Sequence, residues 1–205
     1  MQDKKPLISV IVPNYNHGYF LEQRLSSVLN QTYPNLELII LDDFSSDNSN
    51  EIIEKFRSNQ RIVSVIYNSQ NSGSTFKQWE KGISIANGKY IWIAESDDDA
   101  SPYLLERVMQ TFTKHSDVGI VKVASIWIDQ DDKVILEENL TEILGPISGT
   151  EYAVENMSFK NSLYNASSIV FRKCLAEGII DGNIKQMRYC GDWLFWNRLL
   201  LKTSI

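Results

Sequence analysis

The chain has 205 residues, of which 43% are hydrophobic and 22% are charged, and its formal net charge is −6. This length suits one sizeable hydrophobic core, so we expect a single domain over residues 1–205. The negative charge argues against a protein that binds nucleic acid by neutralising its phosphates. Two cysteines, Cys174 and Cys190, are too few for a disulfide framework, and no apolar run approaches the ~18 residues of a membrane helix. We therefore expect a cytoplasmic protein.

Strands and helices alternate over the first half of the sequence. Short apolar runs at 7–12, 36–41, 62–67 and 90–94 predict strands. Apolar residues at helical spacing predict helices around 20–29, 52–56 and 76–86, and in the first of these Arg24 shares the helical spacing of the apolar residues. Asn87 and Gly88 are expected to end the third helix through a left-handed residue. This alternation predicts a doubly wound α/β sheet that binds its ligand outside the carboxyl ends of the strands.

The second half departs from strict alternation. A helix is expected around 104–112, then a long strand over 118–128 and a hairpin through 129–133 into 134–136. A short helix over 149–157, a strand-like segment over 162–172 and a helix over 191–201 follow. The hairpin predicts that the mostly parallel sheet becomes mixed at this point, with helices flanking it.

The most unusual stretch is 90–102, YIWIAESDDDASP, in which an apolar strand ends in carboxylates. Glu95, Asp97, Asp98 and Asp99 fall within five positions, where like charges about 4 Å apart repel by roughly 1 kcal/mol per pair even in water. Such oxygen ligands suit Mg²⁺ or Mn²⁺ shared with substrate phosphates. The alternative is a solvated acidic turn before a helix, capped by Asp99 or Ser101.

Three polar segments follow strand ends and are expected to share one rim of the sheet: 13–16, 42–43 and 95–99. Tyr15 offers an aromatic ring for a base, Asp43 a carboxylate for a base N–H, and the acidic run a site for a metal-bound diphosphate. Together they predict a nucleotide pocket. Taken singly, Asp43 could be a helix-capping residue and Tyr15 a core residue. No glycine-rich phosphate loop is present in the sequence.

These motifs carry a family resemblance. The segments VPNYNHG, LDDFSSDNS, NSGS, ANGKYIWIAESDDDASP and GDWLFWNRL resemble glycosyltransferase family 2. The resemblance implies a single-domain GT-A fold, the Rossmann-like fold of nucleotide-diphospho-sugar transferases. It also implies a nucleotide-sugar half over 1–115 and an acceptor-side half over 116–205. Family members usually continue beyond the helix with which this chain ends, so we expect a longer parent protein.

The resemblance also implies roles for individual residues. It places Asp97 as the ligand of Mn²⁺ or Mg²⁺, with Asp99 as the alternative if the Asp-x-Asp-Asp register slips by one residue, and Asp192 as the catalytic base. Glu95 stands where the family usually has an Asp that contacts the ribose. The remaining donor-binding positions are Pro13, Tyr15 and Asp43 at the nucleobase, Asn16, Ser72 and Ser96 in the same motifs, Lys77 towards the diphosphate, and Asp98 towards the sugar.

The implied activity is a metal-dependent, inverting transfer of a sugar from a nucleoside-diphosphate donor of the UDP, dTDP or GDP type to a hydroxyl acceptor. The acceptor would be a carbohydrate or a lipid-linked saccharide in bacterial surface polysaccharide or glycoconjugate synthesis, with peripheral membrane contact outside this stretch. Two alternatives stay open. One is a nucleotide- or glycan-binding module without turnover, and the other is a phosphoryl-accepting receiver domain.

Overall fold

The structure is a computed structural model that describes residues 5–129, 131–138 and 145–205. Its centre is a six-stranded sheet in the order β3-β2-β1-β4-β8-β5. Strands β1 (Ile8–Asn14), β2 (Leu36–Asp42), β3 (Ile62–Tyr67) and β4 (Tyr90–Ile93) run parallel to one another. Helices α1 (Gly18–Leu29), α2 (Ser49–Phe56) and α3 (Thr75–Ile85) connect them. The alternating pattern of the first half is therefore confirmed.

The sheet becomes mixed through β8 (Ile169–Arg172), which runs antiparallel to both β4 and β5 (Ile120–Lys122). The predicted hairpin exists, but β6 (Ile126–Ile128) and β7 (Val134–Glu137) form a separate two-stranded sheet. The expectation that the hairpin itself makes the central sheet mixed was wrong. Of the hairpin tip, Gln130 lies outside the described residues.

Two predicted strands proved too long. The stretch 118–128 divides into β5 and β6, and within 162–172 only Ile169–Arg172 is a strand. The cause is local to the start of β8, where Asn165 Oδ1 accepts a hydrogen bond from Ser167 N at 2.8 Å and a 3-10 turn occupies Ala166–Ser168. Because β8 begins only after this turn, the strand pairing of β5 stops at Lys122.

The remaining helices are α4 (Leu104–Lys114), α5 (Gly149–Asn156), α6 (Gly182–Gln186) and α7 (Gly191–Leu200). Helix α4 is preceded by Tyr103, whose side chain makes no capping hydrogen bond. Asp99 does not cap α4, since its Oδ1 accepts from Ala100 N, whereas Ser101 Oγ accepts from Tyr103 N at 3.4 Å just before the helix. None of the helices in the described ranges is both long and apolar enough to cross a membrane.

The expected left-handed end of α3 was also wrong. The helix ends at Ala86, which is extended at φ −63° and ψ 137°, and among the described glycines only Gly73 and Gly178 have positive φ. Gly88 serves close packing instead, because a Cβ there would lie 2.5 Å from the backbone nitrogen of Ser9.

Hydrophobic layers cover both faces of the sheet. Along β1, Val10 and Val12 pack into the layer of α1, α2 and α4, whereas Ile11 packs into the layer of α3 and α7. Strands β1, β2 and β4 are buried at every position, which accounts for their mostly apolar sequences. The carboxyl ends of these strands form the rim on which the candidate site lies.

Candidate functional site

The loops after β1 and β2 are tied together at the rim. Asp43 N donates to Asn14 O at 2.8 Å, Asn16 N donates to Ser45 Oγ at 2.9 Å, and Ser46 N donates to Asn16 Oδ1 at 2.8 Å. Pro13 lies buried at the end of β1, whereas Tyr15 is 48% exposed. Tyr15 is thus not a core residue, and its ring is available on the rim.

The carboxylate of Asp43 faces the loop before α3 and not the start of α2. It is buried and accepts hydrogen bonds at 2.6–3.0 Å from Asn68 Nδ2, Ser72 N, Ser72 Oγ and Gln78 Nε2. At the start of α2, Asp47 Oδ1 accepts from Ser49 N instead, so the capping alternative for Asp43 was wrong. The first and second acidic residues of the pair therefore have different surroundings, since Asp42 accepts from Ser45 N at 2.9 Å.

A polar cavity of about 370 Å³ lies beside this network and is lined by residues 68–72 together with Lys77. Lys77 Nζ donates to the Ser72 carbonyl at 2.7 Å, and its side chain is exposed. The structure thus brings Ser72, Lys77 and Asp43 together, as the predicted nucleotide pocket requires.

Glu95 begins the acidic loop, which comprises residues 95–99, and its side chain points towards α3. Trp79 Nε1 donates to Glu95 Oε1 at 2.8 Å, and Glu95 N donates to Ser167 Oγ at 2.9 Å. Burial raises the pKa of Glu95 to about 7; the hydrogen bond from Trp79 opposes this rise, and the negative charge of Asp97 adds to it. A Glu95 carboxyl group whose pKa lies near neutral pH is a property that spacing alone did not indicate.

Arg24 is the main site residue that sequence reasoning missed. Its side chain is 0% exposed; Nε donates to the Glu95 carbonyl at 2.8 Å, and Nη2 donates to Ser167 Oγ at 3.1 Å and lies 3.7 Å from Asp98 Oδ2. Burial lowers the pKa of Arg24, and the Asp98 charge opposes this effect. A signal was present, because a charged residue at apolar helical spacing in α1 requires a buried partner.

The middle of the acidic loop is joined to the first loop. His17 Nδ1 lies 2.8 Å from the hydroxyl of buried Ser96. His17 was not among the predicted site residues. Its contact links the residue that precedes α1 to the carboxylates that follow β4.

The two candidate metal ligands differ in their surroundings. Both are exposed, but Asp99 Oδ2 accepts from Gln23 Nε2 at 2.9 Å, whereas no hydrogen bond to the Asp97 carboxylate occurs within the described ranges. In those same ranges no three His, Cys, Asp or Glu side chains converge as a metal-binding group. An open carboxylate nevertheless fits Mg²⁺ or Mn²⁺, which use one or two carboxylates and complete their shell with water and phosphate oxygens. Asp97 and Asp99 both stay predictions as metal ligands.

Asp192 lies in the first turn of α7, where its Oδ2 accepts from Asn161 Nδ2 at 2.7 Å. It makes no hydrogen bond to the acidic loop in the described structure, but α3 connects the two. Gly191 packs against Phe76, and the centroids of the Phe76 and Trp79 rings lie 5.2 Å apart. Trp79 in turn donates its hydrogen bond to Glu95. The start of α7 is therefore in contact with the helix that supports Glu95.

A mostly parallel α/β sheet with one antiparallel insertion and carboxylates on the rim is the arrangement of GT-A proteins. Solved structures share this fold. Staphylococcal TarS in complex with UDP (S. aureus) has a TM-score of 0.75 and 21% identity, over 96% of this chain and 55% of that one. The sequence model described as "Glycosyl transferase family 2" matches residues 9–132. The chain belongs to glycosyl transferase family 2.

Two relatives match a little more than half of this chain. "Glycosyltransferase GlyG" of Streptococcus pneumoniae is 41% identical over 115 residues, which are 56% of this chain and 38% of the relative. "Putative teichuronic acid biosynthesis glycosyltransferase TuaG" of Bacillus subtilis is 34% identical over 116 residues, 57% of this chain and 46% of that protein. These matches cover less than half of either relative. The mannosyltransferase PcManGT of Pyrobaculum calidifontis, solved with GDP-Man and Mn²⁺, has a TM-score of 0.53 and 21% identity over 63% of this chain and 38% of that one.

Proposed function

We propose that this protein is a metal-dependent, inverting glycosyltransferase that moves a sugar from a nucleoside-diphosphate donor to a hydroxyl acceptor. The observation that carries the proposal is the joining of three loops on one rim in a family 2 chain. Hydrogen bonds join the loop of Tyr15 to the loop of Asp43. His17, at the end of the Tyr15 loop, contacts Ser96 in the acidic loop. A nucleotide needs this combination of an aromatic ring, a carboxylate and a metal-binding acidic segment.

The donor would lie along the rim from β2 to β4. Pro13, Tyr15, Asn16 and Asp43 would border the base, with Ser72 beside it. Lys77 would face the diphosphate, and Glu95, Ser96 and Asp98 would face the ribose and the sugar. Of the expected UDP, dTDP and GDP donors, the UDP and GDP types are supported by similar folds that have been solved with UDP, with UDP-GlcNAc and with GDP-Man. Mg²⁺ or Mn²⁺ held by Asp97, or by Asp99, would neutralise charge on the departing diphosphate.

Asp192 would act as the base. The acceptor hydroxyl oxygen forms a bond to the anomeric carbon as the bond from that carbon to the diphosphate oxygen breaks, and the hydroxyl proton passes to the Asp192 carboxylate. Attack from the face opposite the leaving group inverts the anomeric centre. The hydrogen bond from Asn161 to Asp192 Oδ2 supports this role, because it leaves Oδ1 as the oxygen for the acceptor.

The acceptor we propose is a carbohydrate or a lipid-linked saccharide of a bacterial surface glycan. The support is the named role of a relative, since TuaG is described as a putative enzyme of teichuronic acid biosynthesis.

A thermal-shift titration tests the proposal. Wild-type protein is mixed with UDP, dTDP or GDP, each with Mn²⁺, Mg²⁺ or EDTA. At about 100 times its dissociation constant, the preferred nucleotide should stabilise the fold by roughly 2.7 kcal/mol, and only when metal is present. Asp97→Asn should lose this metal-dependent shift if Asp97 holds the metal, and Asp99→Asn should lose it if Asp99 does, whereas Asp192→Asn should keep all of it.

Turnover separates a transferase from a binding module. With the matching nucleotide-sugar and metal, wild-type protein should release nucleoside diphosphate, slowly to water and faster with a saccharide acceptor, and Asp192→Asn should not. Binding without release by the wild type would favour the non-catalytic module. The absence of any shift with all three nucleotides would contradict the proposed function.

A further inference from the structure

A second exposed aromatic residue, Phe44, lies in the rim segment next to that of Tyr15. The segments 14–16 and 43–45 run side by side and are joined by two hydrogen bonds. Asp43 N donates to Asn14 O at 2.8 Å, and Asn16 N donates to Ser45 Oγ at 2.9 Å. Tyr15 and Phe44 occupy the central positions of the two segments. Their side chains are 48% and 55% exposed.

The backbone of Phe44 is in an unusual conformation for its side chain. Its φ is +68°, in the left-handed region that glycine and asparagine adopt easily and that a bulky side chain rarely adopts. Hydrogen bonds of the residues on both sides of Phe44 impose this geometry. Asp43 N donates to Asn14 O, and Ser45 N donates to Asp42 Oδ2 at 2.9 Å. A glycine here would relieve the steric conflict and would also remove an exposed apolar ring.

The chain thus keeps a large ring where both backbone strain and exposure to water disfavour it. Such conformations cluster at ligand sites. Phe44 follows Asp43 directly, and the Asp43 carboxylate is the centre of the network that faces the polar cavity of residues 68–72 and Lys77. The ligand beside Phe44 therefore has to combine a flat apolar face with polar edges.

We propose that Phe44 is a second aromatic contact for the nucleobase of the donor, so that the base packs against both Phe44 and Tyr15 while its edge meets Asp43. This inference rests on the proposed function. Stacking on an aromatic ring is available to every base, because each base has a flat π-face. Phe44 accordingly contributes affinity for the base, and the polar residues around Asp43 determine which base is preferred.

Phe44→Gly is the decisive variant, since glycine accepts the backbone conformation. We expect its melting temperature without ligand to equal or exceed that of the wild type. Its dissociation constant for the preferred nucleoside diphosphate with Mn²⁺, measured by calorimetry, should rise about ten-fold or more. Phe44→Trp should restore tight binding. Phe159→Ala, which removes a ring that is 98% exposed after α5, should bind nucleotide like the wild type.

Binding of Mn²⁺ with inorganic pyrophosphate, measured on the same proteins, distinguishes a base contact from a general disturbance of the site. Phe44→Gly should leave pyrophosphate binding unchanged. Equal nucleotide affinity in Phe44→Gly and wild type would overturn the role of Phe44 while the proposed function stands. An equal loss for nucleotide and pyrophosphate would also overturn it. If the wild type binds no nucleoside diphosphate, the proposed function fails, and the inference fails with it.

Discussion

Glu95 shows how one residue's surroundings change its chemistry. Its carboxyl group accepts a hydrogen bond from Trp79 and lies near the carboxylates of Asp97 and Asp98. Burial raises the pKa of Glu95 to about 7 from an ordinary value of 4.5. A neutral Glu95 would reduce the repulsion within the acidic loop, whereas an ionised one would add to it. The charge state of this residue therefore links the stability of the loop to pH.

We predict that Glu95→Gln flattens the pH dependence of stability. Because the folded state holds the Glu95 proton more tightly than the unfolded chain does, its contribution is complete below pH 4.5 and is lost as pH rises to about 7. Without metal, the urea midpoint of the wild type should fall more between pH 5 and pH 8 than that of Glu95→Gln. Glu155→Gln, which changes an exposed carboxylate, serves as the control and should keep the wild-type slope. Equal slopes for wild type and Glu95→Gln would contradict the shifted pKa.

Arg24 extends the same reasoning to a buried cation. Its guanidinium contacts the Glu95 carbonyl, Ser167 and Asp98, so one side chain of α1 joins the acidic loop to the segment before β8. A buried charge requires such partners, because its removal from water is otherwise costly. Arg24 thus holds the acidic loop in place from the buried side. It contacts neither solvent nor, by our proposal, the donor.

The packing of α7 on α3 determines where Asp192 lies. Gly191 permits this contact, since a Cβ at its position would lie 2.3 Å from Phe76 Cε2, and the Phe76 ring is buried between the helices. The ring belongs to a cluster of aromatic side chains that includes Trp79, Phe195 and Trp196, which restricts its movement. The first turn of α7 can therefore approach α3 this closely only with glycine at residue 191.

We predict that Gly191→Ala destabilises the protein by about 1–3 kcal/mol, because the added methyl group overpacks a rigid contact. It should also reduce donor turnover more than nucleotide affinity, since Asp192 is the next residue. Gly182→Ala is the matched control: it also lies at the first position of a helix, and a Cβ there meets nothing within 4 Å. Urea denaturation measures both variants. An unchanged midpoint for Gly191→Ala would show that α7 adjusts without strain.

At the scale of the whole molecule, the two halves expected from the sequence share one sheet. Strand β8, from the second half, lies between β4 and β5, and its Phe171 packs with Phe195 and Trp196 of α7. Val170, which precedes Phe171 in β8, packs into the opposite layer with Trp92. Neither layer is completed by residues of one half alone, which favours the single domain that we propose.

We predict that the protein unfolds in one transition. Buried Trp92 reports on one layer, and buried Trp79 and Trp196 report on the other, so tryptophan fluorescence follows both. Fluorescence and far-UV circular dichroism should give the same urea midpoint, because shared strands couple the layers. Two separated transitions, or a circular dichroism midpoint that differs from the fluorescence midpoint, would indicate halves that unfold independently.

The parallel half of the fold and the three loops on its rim were predictable from sequence patterns. Buried parallel strands have continuous apolar sequences, and their carboxyl ends must share one edge, so Tyr15, Asp43 and the 95–99 segment could be grouped without coordinates. The resemblance to family 2 added the fold and the expected role of Asp192. These features depend on local pattern, which sequence carries directly.

The way in which distant segments meet is visible only in the folded protein. Arg24 and Ser167 are 143 positions apart, and nothing local to either indicates their hydrogen bond. The insertion of β8, the separation of the β6–β7 hairpin from the main sheet and the left-handed backbone of Phe44 likewise depend on partners far along the chain. Local propensity describes what a segment can form, whereas contacts between segments select the register, the burial and the charge state that the site requires.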